Sequence, residues 1–165
     1  MTTKGEENLA RMFAREMRAA ARSAAFMLKA EQEGREDLAS LFGAAADAKS
    51  VHARRFLNLM RGKIKGSQEN LKEAFESESY GLAELYPGMV QETRNSPAAV
   101  RKGFVQSMKT DAELVGLYQE AMKGPGTGET TVYYVCQICG HIHRNSIPRK
   151  CPVCKAVPGR FKRAE

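Results

Sequence analysis

All four cysteines of the chain lie in two Cys-x-x-Cys pairs near its C-terminal end, Cys136 with Cys139 and Cys151 with Cys154. Eleven residues separate the two pairs. Thiols three positions apart converge in a tight turn, and two such turns at this separation predict a tetrahedral site for one metal ion. Iron and zinc both accept four thiolates, so the motif leaves the choice of metal open. Two disulfides in a secreted mini-domain are the competing interpretation, and the intracellular character of the remaining sequence argues against it.

The length and composition are those of a soluble protein with one domain of ordinary size and one small domain. The chain has 165 residues, of which 42% are hydrophobic, enough for a core that needs no cross-links. No stretch approaches the roughly 20 apolar residues of a membrane span, and the first residues are too polar for a signal peptide. We therefore expect a cytoplasmic protein with no membrane partner.

The net charge of +7 is concentrated near the C-terminal end. Residues 1–123 carry 19 Lys and Arg against 17 Asp and Glu, whereas residues 124–165 carry seven against two. Such a patch could steer an acidic partner or a phosphate backbone, and a solvated basic surface explains it equally well. Nucleic acid is not expected as a partner, because no platform of stacking aromatic residues accompanies the charge.

Apolar residues recur at helical spacing in four segments, which predict helices over residues 3–33, 36–60, 68–85 and 97–122. Thr3 and Glu6 match a capping box. Ser96 is expected as the N-cap of the fourth helix and Pro97 as its first residue. Pro87 is expected to weaken or kink the third helix, with a short continuation through Val90. A short strand is expected over residues 131–135. The predicted organisation is a helical domain at 1–123, a glycine-rich linker at 124–130 and a metal domain at 131–165.

Each predicted helix carries polar groups on its apolar stripe, where a charge needs a partner. Four long amphipathic helices with metal-capable side chains near their middles describe a ferritin-like four-helix bundle of the carboxylate-bridged di-iron type. The predicted fold class is therefore mainly α, with this bundle followed by a small β and loop domain that holds the four cysteines. The inward polar residues are Glu16, Lys49, His52, Glu78 and Asp111.

Over nearly its whole length the sequence resembles the rubrerythrin family, in which a ferritin-like bundle precedes a rubredoxin-like metal domain. The resemblance is carried by the segments 49–56, 69–73, 78–87, 134–136 and 151–161 in this order and spacing. They read Lys-Ser-Val-His-Ala-Arg-Arg-Phe, Glu-Asn-Leu-Lys-Glu, Glu-Ser-Tyr-Gly-Leu-Ala-Glu-Leu-Tyr-Pro, Tyr-Val-Cys and Cys-Pro-Val-Cys-Lys-Ala-Val-Pro-Gly-Arg-Phe.

The resemblance implies seven di-iron ligands, at positions 16, 49, 52, 78, 81, 111 and 114. This chain keeps three of them, shortens one to Asp111, and has Lys49, Gly81 and Leu114 at the other three. Four donors hold one ion at most, since bridging carboxylates must reach both metals. We expect a metal-free network in which the Lys49 ammonium is hydrogen-bonded by Glu16, Glu78 and Asp111. An altered or mononuclear metal site and a working di-iron centre are the alternatives.

The resemblance also implies a peroxide-reducing oxidoreductase in which the rubredoxin-like iron passes electrons to the di-iron site. With that site depleted, we expect a rubrerythrin-like non-haem iron protein with a redox role of the peroxide-defence type. Electrons would pass through one iron at the four cysteines, and peroxidase activity would be weak or lost. No catalytic residue is assigned, and the redox partner is not identified. The alternative is a zinc-ribbon binding or scaffold protein with a structural metal and a basic, partner-binding tail.

Two further expectations concern assembly and the metal domain. In ferritin-like bundles the second and third helices run parallel, so their connector must travel the bundle's length. About eight extended residues reach at most about 28 Å, while a helix of 20 residues is about 30 Å long. We therefore predict a homodimer that exchanges helix pairs between copies. In the metal domain, His141 and His143 are expected on the surface, and Lys155 stands where the rubredoxin-like resemblance implies glycine.

Overall fold

The computed structural model describes residues 3–124 and 131–164. It divides into two compact units, residues 1–65 and 66–165. The predicted linker lies outside the described residues except for Gly124. This division falls between the second and third predicted helices and not at the predicted linker. The predicted domains at 1–123 and 131–165 therefore stay predictions.

The first unit is a hairpin of two long helices, α1 (Lys4–Gln32) and α2 (Glu36–Leu59). The predicted capping box begins α1: the Thr3 hydroxyl accepts from the Glu6 backbone N–H, and the Glu6 carboxylate accepts from the Thr3 backbone N–H. Gly34 turns the chain between the helices with φ +70°, a conformation that glycine adopts without steric cost. The first two helices of the prediction are confirmed.

Small side chains let α1 and α2 approach closely. The fully buried hydrophobic side chains among their described residues are all alanines, namely Ala20, Ala30, Ala39 and Ala53. The aromatic rings of Phe26 and Phe42 meet edge to face with their centroids 5.5 Å apart. Large apolar residues of the predicted stripes, Leu41 and Leu59 among them, stay more than half exposed. The periodicity thus identified the apolar face, but the hairpin does not bury that face by itself.

The helices of the second unit are α3 (Ser67–Tyr80), α4 (Tyr86–Glu92) and α5 (Ala98–Met122), and a π-helical turn at Gly81–Leu85 joins α3 to α4. α5 packs against α3 and α4.

Pro87 gives the physical reason for the π-helical turn. A proline has no N–H to donate, and its ring would clash with a carbonyl one turn back in a regular helix. The wider turn avoids this conflict, because the Tyr86 backbone N–H reaches the carbonyl of Gly81 five residues back. The predicted disturbance at Pro87 is found, and the helix continues to Glu92, past the predicted Val90.

The start of α5 differs from the prediction by one residue. Pro97 is the last non-helical residue, in an extended conformation, and its carbonyl accepts the first bond, from Val100 N–H at 2.9 Å. No side chain caps this end. Ser96 as the N-cap was therefore wrong, because the fixed φ of Pro97 suits the cap position here.

The C-terminal part of the second unit is a three-stranded antiparallel sheet with strand order β2-β1-β3. Its strands are β1 (Tyr133–Cys136), β2 (Ile142–Arg144) and β3 (Phe161–Arg163). The predicted first strand is thus found; it begins two residues later and ends one residue later than expected. Phe161 packs with the buried Cys136 and Cys151, so the small core forms directly around the thiols. Within the described residues, no helix is long and apolar enough to cross a membrane.

Candidate metal centre

The four predicted cysteines converge on one point. All four Sγ atoms lie within 4.8 Å of one another, and two pairs, Cys136 with Cys154 and Cys139 with Cys151, are 3.6 Å apart. A metal ion bound at about 2.3 Å by four tetrahedral sulfurs separates them by about 3.8 Å. The donor set and its spacing therefore fit one thiolate-bound ion, either iron or zinc.

The backbone builds the same turn at each cysteine pair. Gly140 N–H donates to Cys136 O at 2.9 Å, and Lys155 N–H donates to Cys151 O at 3.0 Å. The residue that closes each turn has a positive φ, +80° at Gly140 and +66° at Lys155. Glycine takes this conformation freely, whereas a lysine pays a steric cost.

The thiols differ in how readily they lose a proton. Burial raises the pKa of Cys139 and of Cys154 above the ordinary thiol value. Burial also acts to raise the pKa of Cys151, but the backbone N–H groups of Cys154 and Val153 outweigh it and lower that pKa. Of these three thiols, Cys151 is thus the one that most readily becomes a thiolate. A bound metal ion favours the thiolate form of its cysteine ligands.

Within the first unit, three predicted site residues meet at a buried carboxylate. Glu16 is 2% exposed, and its Oε2 lies 3.0 Å from Lys49 Nζ and 3.3 Å from His52 Nδ1. The guanidinium of the neighbouring Arg15 binds the other oxygen of Glu16. Lys49 is the largest cause of a lowered Glu16 pKa; burial opposes the shift, and His52 and Arg15 add to it. The carboxylate is therefore held ionised by cationic and hydrogen-bonding side chains.

Within the second unit, the remaining predicted site residues lie near two tyrosines. The Tyr86 hydroxyl donates to Asp111 Oδ2 at 2.5 Å. Burial and the Asp111 carboxylate raise the pKa of Tyr86 to about 12. Burial also raises the pKa of Tyr118, and the Glu78 charge adds to that shift. Asp111 thus accepts a hydrogen bond from the Tyr86 phenol, and the Glu78 charge acts on both Tyr86 and Tyr118.

Comparisons with known proteins agree with this geometry. The family model for the rubrerythrin rubredoxin-like domain matches residues 134–162. Nigerythrin of Nitratidesulfovibrio vulgaris is 27% identical over 164 residues, which cover 90% of this chain and 80% of nigerythrin. Rubrerythrin of Porphyromonas gingivalis is 26% identical over 171 residues, which cover 92% of this chain and 86% of that protein.

Solved structures of nigerythrin share the fold. In the mixed-valence and fully reduced states they match with TM-scores of 0.55 and 0.56 at 23% identity, over 99% of this chain and 88% of theirs. The solved structures show a shared fold, and the family model and the relatives support the resemblance to the rubrerythrin family. The fold class predicted from the sequence, a mainly helical protein with a small four-cysteine domain, is confirmed.

The first unit contains part of the network predicted from the rubrerythrin resemblance. Lys49 stands at an implied ligand position and contacts Glu16, which stands at another, so the first unit contains one contact of the predicted network. Glu78 and Asp111 belong to the second unit, and their predicted bonds to Lys49 remain a prediction.

Sequence reasoning missed several residues near these sites. Arg15 precedes Glu16 and was not considered as its partner, because adjacent residues point away from each other on a helix. Tyr86 had no assigned role, although it follows Glu78 by eight residues, close to two helical turns. The expectation that His141 lies on the surface was wrong: the residue is 4% exposed, and its ring Nδ1 contacts the Glu113 carboxylate.

The two cysteine turns generate a stability prediction. Replacing Lys155 with Gly removes the steric cost of a positive φ and should raise the free energy of unfolding by about 0.5–1 kcal/mol. Replacing Gly140 with Ala adds that cost and should lower it by about 1–2 kcal/mol. Thermal denaturation of the metal-loaded protein measures both changes. Equal effects of the same sign would contradict the assigned backbone conformations.

The Glu16 cluster generates a prediction on pH. Lys49 lowers the pKa of Glu16, so the contact between them stabilises the folded state. This stabilisation is fully present above the ordinary carboxyl pKa of 4.5 and is lost as the pH falls through the lowered value. Lys49→Met should lower the Tm by about 5 °C or more at pH 7, since it leaves a buried charge without its main partner. The deficit should shrink toward pH 4.

The matched control is Lys29→Met, which removes a cation from an exposed ion pair with Glu33 at 3.0 Å. Exposed pairs contribute little, so we expect a change within about 2 °C at either pH. A Lys49→Met protein as stable at pH 7 as this control would show that Lys49 does not compensate Glu16.

Proposed function

We propose that this protein is a rubrerythrin-like non-haem iron protein that carries single electrons through its four-cysteine centre, with di-iron peroxidase activity weak or lost. The observation that carries the proposal is the convergence of four sulfurs within 4.8 Å in a domain that matches the rubrerythrin rubredoxin-like model. An iron ion bound by four thiolates supplies a reversible one-electron couple. We also propose a cytoplasmic location, where the thiols stay reduced and available to the metal.

The residues around the centre suit an electron carrier. Arg149 and Lys150 precede the second cysteine pair and Lys155 follows it. Reduction adds a negative charge to the centre. Nearby cations favour the reduced form and raise the midpoint potential. The buried Cys136 and Cys151 exclude water from one side, while Cys139 and Cys154 are only partly buried. An electron would enter or leave on that more open side.

The loss of peroxidase activity is proposed from the contact between Glu16 and Lys49. A protonated lysine donates hydrogen bonds and cannot bind a cation, so it turns the Glu16 carboxylate from a metal donor into the anion of an ion pair. Gly81 and Leu114 likewise offer no donor at implied ligand positions. The charge balance that two metal ions would supply is met here in part by one ammonium.

Metal stoichiometry tests this proposal. The full chain produced with excess iron should contain about one iron and be red when oxidised, with peroxide turnover near background. The triple variant Lys49→Glu, Gly81→Glu, Leu114→His restores the donors that the resemblance implies and should raise iron toward three per chain. Lys29→Glu, which makes the same charge change as Lys49→Glu but on an exposed site, should leave the iron content unchanged. Wild-type protein with close to three irons and rapid peroxide turnover would refute the proposed loss.

A second candidate function is favoured by the charge of the metal domain. Residues 131–164 contain seven Lys and Arg and no Asp or Glu, as suits a zinc-ribbon module that binds an acidic partner. Colourless protein with one zinc and no redox change, even when produced in iron-rich, zinc-depleted medium, would favour this binding or scaffold function.

We further propose a homodimer in which α1 and α2 of one copy pack with α3 and α5 of the other. The connector between α2 and α3 has seven residues, 60–66, and reaches about 25 Å at most. α2 has 24 residues, a length of about 36 Å. In a ferritin-like bundle a connector this short does not return a parallel helix within one copy. The exposed apolar residues of the first unit, among them Met17, Leu28, Leu41, Val51 and Leu59, would be covered by the partner.

Light scattering tests the exchange of helices. The wild-type chain should be a dimer at micromolar concentration. Inserting about ten Gly and Ser residues after Gly62 makes the connector long enough to close within one copy, so the variant should shift toward monomer. An insertion of equal length at the 124–130 linker should leave the dimer intact. A compact wild-type monomer would contradict the proposal.

A further inference from the structure

Two acidic side chains of α5 contact two basic side chains of the metal domain. Glu113 contacts the His141 ring at Nδ1, and Glu120 contacts the Arg144 guanidinium. All four residues belong to the second unit. The two contacts are therefore a physical link between the helix and the metal domain besides the chain segment that joins them.

The spacing on the two sides matches. Glu113 and Glu120 are seven residues apart, two turns of α5, which places them on one face about 10.5 Å apart along the axis. His141 precedes β2 and Arg144 ends it, a separation of three residues or about 10 Å of extended chain. β2 is an edge strand of the sheet and contacts α5.

Charge complementarity supports the same arrangement. The metal domain has no carboxylate of its own between residues 131 and 164, so its seven cations repel one another without internal compensation. The face of α5 with Glu113 and Glu120 supplies two acids at the sheet edge. An acidic pair at that edge lowers the repulsion and gives the domain one preferred orientation.

His141 makes the inner contact a specific one. Its ring is almost fully buried, and its backbone carbonyl accepts from Cys136 N–H at 2.9 Å. The same residue thus joins the first cysteine turn, through its backbone, to α5, through its ring. The outer contact is about half exposed on both sides, so we expect it to contribute less than the inner one.

We propose that Glu113–His141 and Glu120–Arg144 form an electrostatic clip that docks the metal domain on α5 and fixes the position of the four-cysteine centre. Glu113 is then a positioning residue, which acts on the centre through His141. The clip orients the metal domain in the same way whether the centre holds iron or zinc.

The clip is tested by rotational diffusion of the zinc-loaded full chain, which is suited to NMR. In the wild type, ¹⁵N relaxation should give the same rotational correlation time for sheet amides and for α5 amides. Glu113→Lys with Glu120→Lys should release the domain and lower the correlation time of the sheet amides about two-fold relative to α5. One zinc per chain and unchanged sheet chemical shifts would show that the released domain is still folded.

A control variant, a charge-swap variant and a milder replacement accompany this test. Glu84→Lys with Glu92→Lys makes the same charge change on exposed residues of the preceding helical segment and should leave the correlation times equal. Adding Arg144→Glu to the double lysine variant re-forms the outer ion pair with reversed charges and should restore part of the slower tumbling of the sheet amides. If the double lysine variant fails to fold, Glu113→Gln with Glu120→Gln replaces it. Equal correlation times in the released variant, or no rescue by the charge swap, would overturn the proposal.

Discussion

The buried carboxylate of Glu16 is the constraint on which the helical hairpin depends. A carboxylate with 2% exposure needs compensation, since an unpaired buried charge is strongly destabilising. Lys49 and His52 on α2 and Arg15 on α1 supply it. Because two of these partners are on the opposite helix, the ion pair fixes the register of α1 against α2. The buried alanines then allow the helix axes to approach.

The same constraint bears on the proposed chemistry. In a carboxylate-bridged metal site, cations between the helices compensate the inward acids. The Lys49 side chain carries one such positive charge. The Glu16 carboxylate is therefore compensated without a metal ion from solution. A protonated lysine has no lone pair to donate to a metal ion. Compensation of the buried carboxylate and the proposed loss of a metal ligand would both follow from Lys49.

The sequence predicted well those features that follow from local spacing. The cysteine turns, the capping box at Thr3 and the two long helices of the first unit were foreseen in place. Features set by tertiary packing were not. Periodicity showed that Leu41 and Leu59 share an apolar face but not what covers it, and it gave no reason to bury His141. That burial depends on Glu113, 28 residues earlier, which no local pattern connects to the cysteines. The π-helical turn was foreseen only as a disturbance at Pro87, because its form depends on which carbonyl the Tyr86 N–H can reach.

α5 shows how one helix can serve two different sites. Asp111 and Glu113 are two residues apart, so their side chains point to nearly opposite sides of the helix. Asp111 faces Tyr86 of α4, and Glu113 faces the His141 ring of the metal domain. The residue at implied ligand position 114, here Leu114, can therefore differ without moving the acids that contact the metal domain. The proposed docking of the metal domain and the implied ligand positions of the helices involve separate residues. An ordered four-cysteine centre therefore does not require a complete set of metal ligands on the helices.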